Sequence, residues 1–599
     1  MVTVAERKRA KRRGTIRNAS AQTPVKRSFV PADPGFTLAS HGALIGLGLG
    51  TLLVKSLIYA PISWWPLTFV CLVPWLILIG ASSHAPRVYL YSFLIGFAFH
   101  LINMRWMYAA TGLGYVVLSA WQAVYFPLVA LAVRHVVRRR RWPLAFVFPF
   151  VWTGSELLRA IVLSGFPWFF LSHSLYGVQT LIQISDVVGA YGVSFVAALV
   201  NGAVADGVFA YVAHRRGAAA ADALRRTRRS WIAAVASLAM LIVYGQIQLH
   251  RDTTREGPKI AVIQGDFLSL VRGDPVSNAE KKRIYLAMMD AAAAEDPDLY
   301  LLPESPWAMY LNPEVRDFFP FARQSFAGLQ GRATRDAAYV VTGSGSMIET
   351  PHDLAVKART YNSATIFRPD GSEPGRYDKV HLVYFGEVVP FRFGRLRFLY
   401  RWLNRLMPFS GENGSDEYSL FPGDGFHRFE MSPRSQPGRS YHFGIPICYE
   451  DVMPYVSREF VAGEGEGKQV DFLLNISNDG WFGRGHQQPQ HLAICVFRAV
   501  ENRVGIARAV NTGVSAMIEP SGRVHDVVRG DPSTPWPGAC GYSVARLGVD
   551  SRFTLYSRYG DWFAWLCAGV WLLFFGDYWV ARVRAAAHEG DESAVASAG

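Results

Sequence analysis

Residues 443–451 read FGIPICYED, and the fold of the second half of the chain can be inferred from them. A short apolar run with strand character ends at Cys448, and polar residues that can begin a helix follow it. In α/β folds, ligand-binding and catalytic groups collect at the carboxyl ends of strands. A thiol at a helix N-terminus has its thiolate favoured by the helix dipole. The stretch predicts a strand, a cysteine nucleophile and a helix, although a single cysteine after an apolar strand is more often inert core.

Strand-like runs recur on both sides of this stretch, and helical stretches at residues 278–294 and 490–501 separate some of them. The alternation predicts one α/β domain with a layered sheet core over residues 258–547. The predicted strands cover residues 260–264, 299–303, 339–343, 363–368, 441–447, 472–477, 506–509 and 515–519.

The chain as a whole is apolar and poor in charge. Of its 599 residues 50% are hydrophobic and only 18% are charged, whereas about 25% are charged in soluble proteins. This composition excludes a disordered, collagen-like or ordinary cytosolic protein. A membrane span needs about 20 apolar residues. Residues 165–191 are apolar but broken by Pro167 and glycines, which predicts a re-entrant or interfacial segment. The candidate spans cover residues 36–57, 64–81, 88–108, 114–133, 143–163, 193–212, 231–249 and 561–580.

The basic residues predict the topology of these spans. The formal net charge is +14, and Lys and Arg cluster before residue 33, at residues 134–141 and at residues 215–229. Because the clusters lie between apolar runs, they indicate cytoplasmic loops and not a nucleic-acid partner. A cleaved signal peptide is disfavoured because the first apolar run is too long and lacks an A-x-A site. The resulting division is a basic cytoplasmic tail at 1–35, a seven-helix transmembrane domain at 36–250, a catalytic domain outside the cytoplasm at 258–547, a C-terminal transmembrane helix at 561–580 and a cytoplasmic tail at 581–599.

Two further residues at the ends of predicted strands carry suitable chemistry. Glu304 follows the strand in LLPES, and Lys379 lies in a loop within YDKVHL. A carboxylate beside a thiol can act as its base, and a lysine can stabilise an oxyanion. Taken singly, such a glutamate is often a helix cap and such a lysine a solvated charge. The five cysteines include no CxxC pair, so neither a disulfide framework nor a metal site is indicated and no cofactor is expected.

Inside the fifth predicted span, Glu156 and Arg159 are three residues apart and share one helix face. An ionic pair within a membrane is costly and often functional. A purely structural pair is at least as plausible here.

Six ordered motifs resemble those of the nitrilase, or carbon–nitrogen hydrolase, superfamily. Seven spans before them and one after make the chain similar to the bacterial apolipoprotein N-acyltransferases within it. Trp152, Glu156, Arg159 and the GFPW at 165–168 also resemble the membrane half of that family. Tyr384 departs from the family pattern, which usually has proline there, and no tryptophan lies between residues 268 and 274, where some members carry one. The motifs are LLPES (301–305), YDKVHLVYFGEVVP (377–390), GIPICYED (444–451), NISNDGWFG (475–483), QHLAICVFRAVENR (490–503) and ARAVNTGVSAMIEPSGRV (507–524).

The resemblance implies a multi-span α-helical membrane domain joined to an α/β nitrilase-like domain, which is an αββα sandwich. It implies a catalytic triad of Glu304, Lys379 and Cys448. Acyl transfer would run from a phospholipid donor to a diacylglyceryl apolipoprotein acceptor through a cysteine thioester, without metal or cofactor. The enzyme would be a multi-pass protein of the bacterial inner membrane with its catalytic domain on the periplasmic side. Supporting or substrate-binding roles are implied for Glu387, Tyr449, Glu450 and Trp481.

Two other functions stay open at this point. A membrane-tethered amidase of the same superfamily would share the triad but act on a small polar substrate. A catalytically idle membrane scaffold is disfavoured by the intact glutamate, lysine and cysteine. If lipid is the donor, residues 391–409 are suited to form a mobile lid that meets it, and the alternative is an ordinary amphipathic helix packed on the α/β core. Leu396, Leu399, Leu403 and Leu406 recur there at helical spacing beside Phe398 and Trp402, with Arg395, Arg397, Arg401 and Arg405 interleaved.

Overall fold

The computed structural model of the protein describes residues 40–251, 253–268, 276–349, 358–392, 394–405, 419–463, 465–529 and 540–598. The predicted basic tail at 1–35 lies outside the described residues. So do residues 269–274, in the stretch where some family members carry a tryptophan. In chain order, the α-helices are α1 His41–Leu57, α2 Val73–Ala81, α3 Ala85–Asn103, α4 Gly112–His135, α5 Leu144–Ile161, α6 Gln179–Ile182, α7 Ser185–Arg215, α8 Ala220–Leu249, α9 Asn278–Ala293, α10 Pro313–Arg316, α11 Pro320–Asp336, α12 Arg397–Asn404, α13 Pro454–Ala462, α14 Gln487–Asn502, α15 Leu555–Tyr559 and α16 Trp562–Ala598.

Six of the eight predicted spans correspond to helices that are long and apolar enough to cross a membrane, within the described part of the chain. They are α3, α4, α5, α7, α8 and the first part of α16. The first predicted span is the shorter helix α1, of 17 residues, and residues 36–39 before it are not described. The second predicted span corresponds to a shorter apolar helical segment, Trp65–Ala81, which consists of two pieces. A 3-10 turn, Trp65–Phe69, precedes the nine-residue α2, because a proline begins each piece and cannot continue a preceding helix.

The segment predicted to be re-entrant is irregular only in its first part. Residues 165–184 hold one 3-10 turn, Leu171–Leu175, and the four-residue α6. From Ser185 onward the chain is helical, which corrects the prediction for 185–191. Gly189 interrupts that helix with a positive φ of 67° but does not end it.

Two six-stranded sheets form the second half of the molecule, with strand orders β12-β1-β2-β3-β4-β5 and β11-β10-β9-β8-β7-β6. Both contain a parallel centre, β1-β2-β3 in one and β7-β8-β9 in the other. The strands are β1 Thr254–Gln264, β2 Leu299–Leu301, β3 Tyr339–Glu349, β4 Ala358–Phe367, β5 Gly375–Asp378, β6 Phe429–Met431, β7 Tyr441–Gly444, β8 Phe472–Ser477, β9 Gly505–Val510, β10 Ala516–Ile518, β11 Val524–His525 and β12 Gly541–Asp550.

The two sheets pack face to face between layers of helices. Successive side chains of a strand point to opposite faces. Accordingly Val262 and Leu301 enter the core shared with the other sheet, whereas Ile263 and Leu302 pack against α9 and α11. On the far side, Val496 and Val500 of α14 belong to the shared core. The predicted αββα sandwich is therefore confirmed.

Helix α14 also joins the sandwich to the membrane helices. Glu501 near its end accepts a hydrogen bond from the backbone N–H of Ala190 in α7, at 2.9 Å. Arg503 donates to Asp186 at 2.6 Å and to Gln183 at 2.6 Å. All these groups are buried. The sheets and the membrane helices are thus packed into one structure through buried polar contacts.

Candidate active site

Cys448 lies four residues beyond the end of β7, at the start of a one-turn 3-10 helix, Cys448–Asp451. Its φ is +52°, in the left-handed region that non-glycine residues avoid. Such a backbone costs about 1–3 kcal/mol and is typical of functional sites. A single 3-10 turn carries little macrodipole, so the expected stabilisation of the thiolate by a following helix is not provided here.

Glu304 follows β2 and is almost completely buried. The adjacent strand β3 carries Gly343, where a Cβ atom would lie 2.6 Å from the Glu304 Cα. Glycine at 343 therefore permits the close approach of the backbone that carries the carboxylate. The carboxylate Oε1 accepts a hydrogen bond from the Asn362 side-chain amide at 2.6 Å.

Lys379 comes directly after β5 and is buried, with its ammonium group 2.9 Å from the Glu387 carboxylate. Burial lowers the pKa of Lys379, but the negative charge of Glu387, followed by those of Cys448 and Glu304, raises it well above its usual value. Lys379 is therefore a permanently charged group. Its electrostatic partners are the other two members of the implied triad.

Asn362 on β4 connects the two carboxylates around the lysine. Its side-chain amide donates to Glu304 at 2.6 Å and to Glu387 at 2.8 Å. Its backbone carbonyl accepts from the N–H of Lys379 at 2.8 Å. Sequence analysis missed this residue, because nothing in the local pattern of β4 distinguishes it from other strand residues.

Glu450 holds the lysine loop against the cysteine turn. Its Oε1 accepts from the N–H groups of Val380 and His381, at 2.8 and 3.0 Å, and from the Tyr377 hydroxyl at 2.9 Å. Its Oε2 accepts from the N–H of Ile447 at 2.8 Å. Burial raises the pKa of Glu450 to about 7, although Lys379 and these N–H donors favour the carboxylate. The side chain supports the site rather than facing the thiol.

The electrostatics of the site favour a resting thiol beside a carboxylate. Burial raises the pKa of Cys448 well above its usual value and the charge of Glu304 raises it further, whereas Lys379 lowers it. Burial also raises the pKa of Glu304, while Lys379 and a hydrogen bond with Cys448 lower it. A carboxylate with a raised pKa is a stronger base toward the neighbouring thiol.

The remaining two implied residues lie at the border of this cluster. The Tyr449 hydroxyl donates to the Gly165 carbonyl of the segment after α5, at 3.1 Å, and its ring stacks on that of His381. Gly165 has a φ of +79°, and a Cβ there would lie 1.8 Å from the Ala160 carbonyl oxygen. Trp481 lies half-buried in the 3-10 turn Asp479–Phe482 after β8. Tyr449 thus joins the cysteine turn to the membrane half.

Glu156 and Arg159 hold this same membrane segment in place. Glu156 accepts from the N–H of Leu171 at 2.9 Å and from the indole of Trp152 at 2.8 Å. Arg159 donates to the Trp168 carbonyl at 3.4 Å. These contacts favour a structural role for both residues.

A second buried polar cluster lies beyond the cysteine turn, and sequence analysis missed it. Asp451, the last residue of that turn, contacts His491 of α14 and Arg508 of β9. His491 also contacts Asp479, which follows β8. The four residues lie in four different motifs, at 444–451, 475–483, 490–503 and 507–524, and only the fold brings them together.

Two family models match the chain. The apolipoprotein N-acyltransferase N-terminal domain matches residues 50–203, and the carbon–nitrogen hydrolase model matches residues 259–531. An apolipoprotein N-acyltransferase of Geobacter metallireducens is 34% identical over 74% of this chain and 76% of its own length. One from Rhodopirellula baltica is 27% identical over 87% of this chain and 95% of its own length. A crystal structure of a CN-hydrolase superfamily protein from Xanthomonas campestris covers 49% of this chain and 91% of its own, at 17% identity and a TM-score of 0.32.

The relatives are bacterial, and the described residues include six helices suited to a membrane. The chain is therefore a multi-pass bacterial membrane protein. The two family models together span both its helical half and its sheets, and the Geobacter relative matches it over most of both chains. The chain belongs to the apolipoprotein N-acyltransferase family.

Proposed function

We propose that this protein is an N-acyltransferase that transfers a fatty acyl chain from a phospholipid to the α-amine of the N-terminal S-diacylglyceryl cysteine of lipoproteins. This reaction is the last step of lipoprotein maturation. The observation that carries the proposal is the convergence of Cys448, Glu304 and Lys379 from three strand ends, in a chain of this family.

The first half-reaction forms a thioester. Glu304 takes the proton of the Cys448 thiol as the sulfur attacks the ester carbonyl of the phospholipid. The charge that develops on the carbonyl oxygen is stabilised by the ammonium group of Lys379. Collapse of the tetrahedral intermediate breaks the ester bond, and Glu304 protonates the departing alcohol oxygen of the lysophospholipid.

The second half-reaction forms the amide. The α-amine of the acceptor attacks the thioester carbonyl, and Glu304 accepts the proton that the amine loses. Breaking the carbon–sulfur bond releases the N-acylated lipoprotein, and the proton returns to the Cys448 sulfur. Glu387 and Asn362 orient Lys379 and Glu304 during both steps, and Glu450 keeps the lysine loop beside the cysteine turn. Tyr449 and Trp481 line the site.

The setting of the reaction belongs to the same proposal. Residues 36–250 form the N-terminal transmembrane domain, 258–547 the catalytic domain and 561–580 the C-terminal transmembrane helix, with tails at 1–35 and 581–599 in the cytoplasm. Basic loops on one side support a periplasmic catalytic domain in the inner membrane. The amidase alternative is not favoured, because a small polar substrate gives no role to the membrane half that the family model matches.

A reconstituted assay tests the proposal. The purified protein is incubated with a phospholipid labelled in its acyl chain and a synthetic diacylated lipopeptide that has a free N-terminus. We expect labelled triacylated peptide, and with phospholipid alone an acyl adduct on the Cys448 peptide by mass spectrometry. Cys448→Ala should abolish both products, and Cys448→Ser should lose transfer because an alkoxide is far harder to form than a thiolate.

Two results would contradict the proposal. Transfer by Cys448→Ala at the wild-type rate would remove the nucleophile from the mechanism. Release of ammonia from small amides without any triacylated peptide would favour the amidase. The acceptor is tested in cells, where depletion of the protein should leave diacylated lipoproteins with free N-terminal amines.

A further inference from the structure

The buried cluster beyond the cysteine turn contains two carboxylates and two side chains that can carry a positive charge. His491 Nε2 lies 2.7 Å from Asp451 Oδ1, and His491 Nδ1 lies 2.9 Å from Asp479 Oδ1. Arg508 forms a close ion pair with Asp451 and lies 3.8 Å from Asp479 Oδ2. All four side chains are at most 3% exposed. The cluster is thus an ionic network sealed from water.

The geometry determines the protonation of His491. An ionised carboxylate only accepts hydrogen bonds, so each ring nitrogen that faces one must carry a proton. A neutral imidazole would direct one lone pair at a carboxylate oxygen. His491 is therefore an imidazolium. Burial lowers its pKa, but Asp451 and Asp479 raise it to about 9 overall.

The cluster borders the cysteine. Asp451 and Cys448 are the two ends of the same 3-10 turn. The Ser477 hydroxyl lies 3.5 Å from Asp479 Oδ1 and is also a hydrogen-bond partner of the Cys448 thiol. The negative charge of Asp479 raises the pKa of that thiol. A thiolate at Cys448 therefore forms against the field of a buried carboxylate.

We propose that His491 is a positioning residue for Cys448: an imidazolium held charged at neutral pH between two buried carboxylates, which offsets the negative charge of Asp479 at the thiolate. Asp451 and Asp479 contribute two negative charges, and His491 and Arg508 contribute two positive charges. Without the imidazolium, the cluster carries one net negative charge. Because Arg508 is bound to Asp451 and Asn475, it compensates Asp479 poorly. The inference rests on the proposed role of Cys448 as nucleophile.

Among the described residues that contact His491, none carries a positive charge that could replace that of the imidazolium. Gln487 on its own helix lies 3.4 Å from Nδ1, and the Trp168 ring from the membrane half packs against the imidazole. Cys495, also on α14, is a buried thiol that hydrogen-bonds with Asp451. On its other side, Cys448 faces Glu304 and Lys379. These two residues are unchanged in every variant described below.

The test measures the rate at which iodoacetamide alkylates Cys448 as a function of pH. The full-length protein in detergent is used, and alkylation is quantified on the Cys448 peptide by mass spectrometry so that the exposed Cys540 does not contribute. A charge of opposite sign close to an ionisable group shifts its pKa by about 1–3 units. We expect His491→Gln to move the profile to higher pH by at least about one unit, which is about a tenfold slower reaction at a fixed pH below about 9, where His491 of the wild type keeps its charge.

Asp479→Asn should move the profile in the opposite direction, because it leaves the imidazolium uncompensated. The double variant His491→Gln/Asp479→Asn should return close to the wild-type profile. His525→Gln is the matched control, since His525 also lies between two carboxylates, Glu519 and Asp526. It is on β11, four strands from β7 and about 19 Å away at about 4.8 Å per strand, and should leave the profile unchanged.

A merely structural histidine predicts a different pattern. Both single variants would then lower the rate in the same direction, and neutralising Asp479 would not restore it. Either result, or an unchanged midpoint in His491→Gln, overturns the inference. If His491→Gln does not fold, His491→Asn replaces it in the same comparison, because it also removes the imidazolium. Loss of transfer in Cys448→Ala with unshifted alkylation in both variants would refute only the role of His491, whereas full transfer in Cys448→Ala would refute the nucleophile itself.

Discussion

Glu304 and Lys379 have separable roles that can be tested by single substitutions. Glu304→Gln keeps the shape of the side chain and its contact with Asn362 but removes the base. Lys379→Met removes the charge that holds the oxyanion, and one such donor is typically worth about 10²–10³ in rate. We expect both variants to lose at least about 100-fold in triacylated peptide formed per amount of protein in the membrane, and the amount of Glu304→Gln to stay near wild type.

The control for Lys379→Met must take account of Glu387, which loses its partner in that variant. Breaking a buried ion pair by removing one member costs about 3–5 kcal/mol. The double variant Lys379→Met/Glu387→Gln removes both charges and should be more stable than the single variant, yet equally inactive. Glu280 is an exposed carboxylate on α9, and the control variant Glu280→Gln should behave as wild type. Near-full turnover in Glu304→Gln or Lys379→Met would show that the assigned role is wrong.

Helix α12 is the element suited to meet lipid, and its structure modifies the expected apolar stripe. Leu399 and Leu403 are half-buried and Tyr400 is buried, whereas Phe398 and Trp402 are 69% and 57% exposed. These two rings are four residues apart and share one helix face. Leu406 and the end of the predicted lid lie outside the described residues. The exposed aromatic pair, and not the leucine stripe, is therefore the face that we propose to contact lipid.

The energetic reason for such a face is the cost of extracting an acyl chain. Each methylene moved into water costs about 0.8 kcal/mol, so a chain of about 15 costs about 12 kcal/mol. We expect Phe398→Glu/Trp402→Glu to slow phospholipid turnover at least about tenfold, since the chain must then pass a charged surface, and to leave alkylation of Cys448 by iodoacetamide unchanged. Leu399→Glu is the contrasting variant, because it perturbs packing and should affect both reactions. Equal loss of both reactions in the aromatic variant would show that α12 only supports the fold.

At the level of the whole molecule, the sandwich is attached to the membrane helices by the buried pair of Arg503 and Asp186. Arg503→Met leaves the Asp186 carboxylate without its cation, which costs about 3–5 kcal/mol in buried pairs. We expect a lower apparent melting temperature in detergent and faster proteolysis between the two parts. Arg225→Met breaks the exposed pair with Asp222 and should change the stability by no more than about 1 kcal/mol. Equal melting temperatures for the two variants would contradict this attachment.

The amino-acid sequence by itself was sufficient for the features that depend on local pattern. Apolar length predicted six of the helices that can cross a membrane, and alternation of strands and helices predicted the layered sheets. The first two inferences succeed because hydrophobic periodicity acts over a few residues. The resemblance of the ordered motifs implied that Glu304, Lys379 and Cys448 form one catalytic triad, and that assignment stays a prediction. All four edge strands, β5, β6, β11 and β12, were missed, and three of them hold only two to four residues, which carry no recognisable period.

The contacts between distant segments were determined only by the tertiary structure. Asn362 joins Glu304 to Glu387 because β4 lies next to β5 and one strand away from β2, an arrangement that the local sequence of β4 does not show. His491 is charged because α14 and two separate turns bring Asp451 and Asp479 to its two nitrogens, and protonation depends on burial and partners rather than on residue type. The physical reason is that electrostatics inside a protein act through space across a low-dielectric core, where residues far apart in sequence become neighbours.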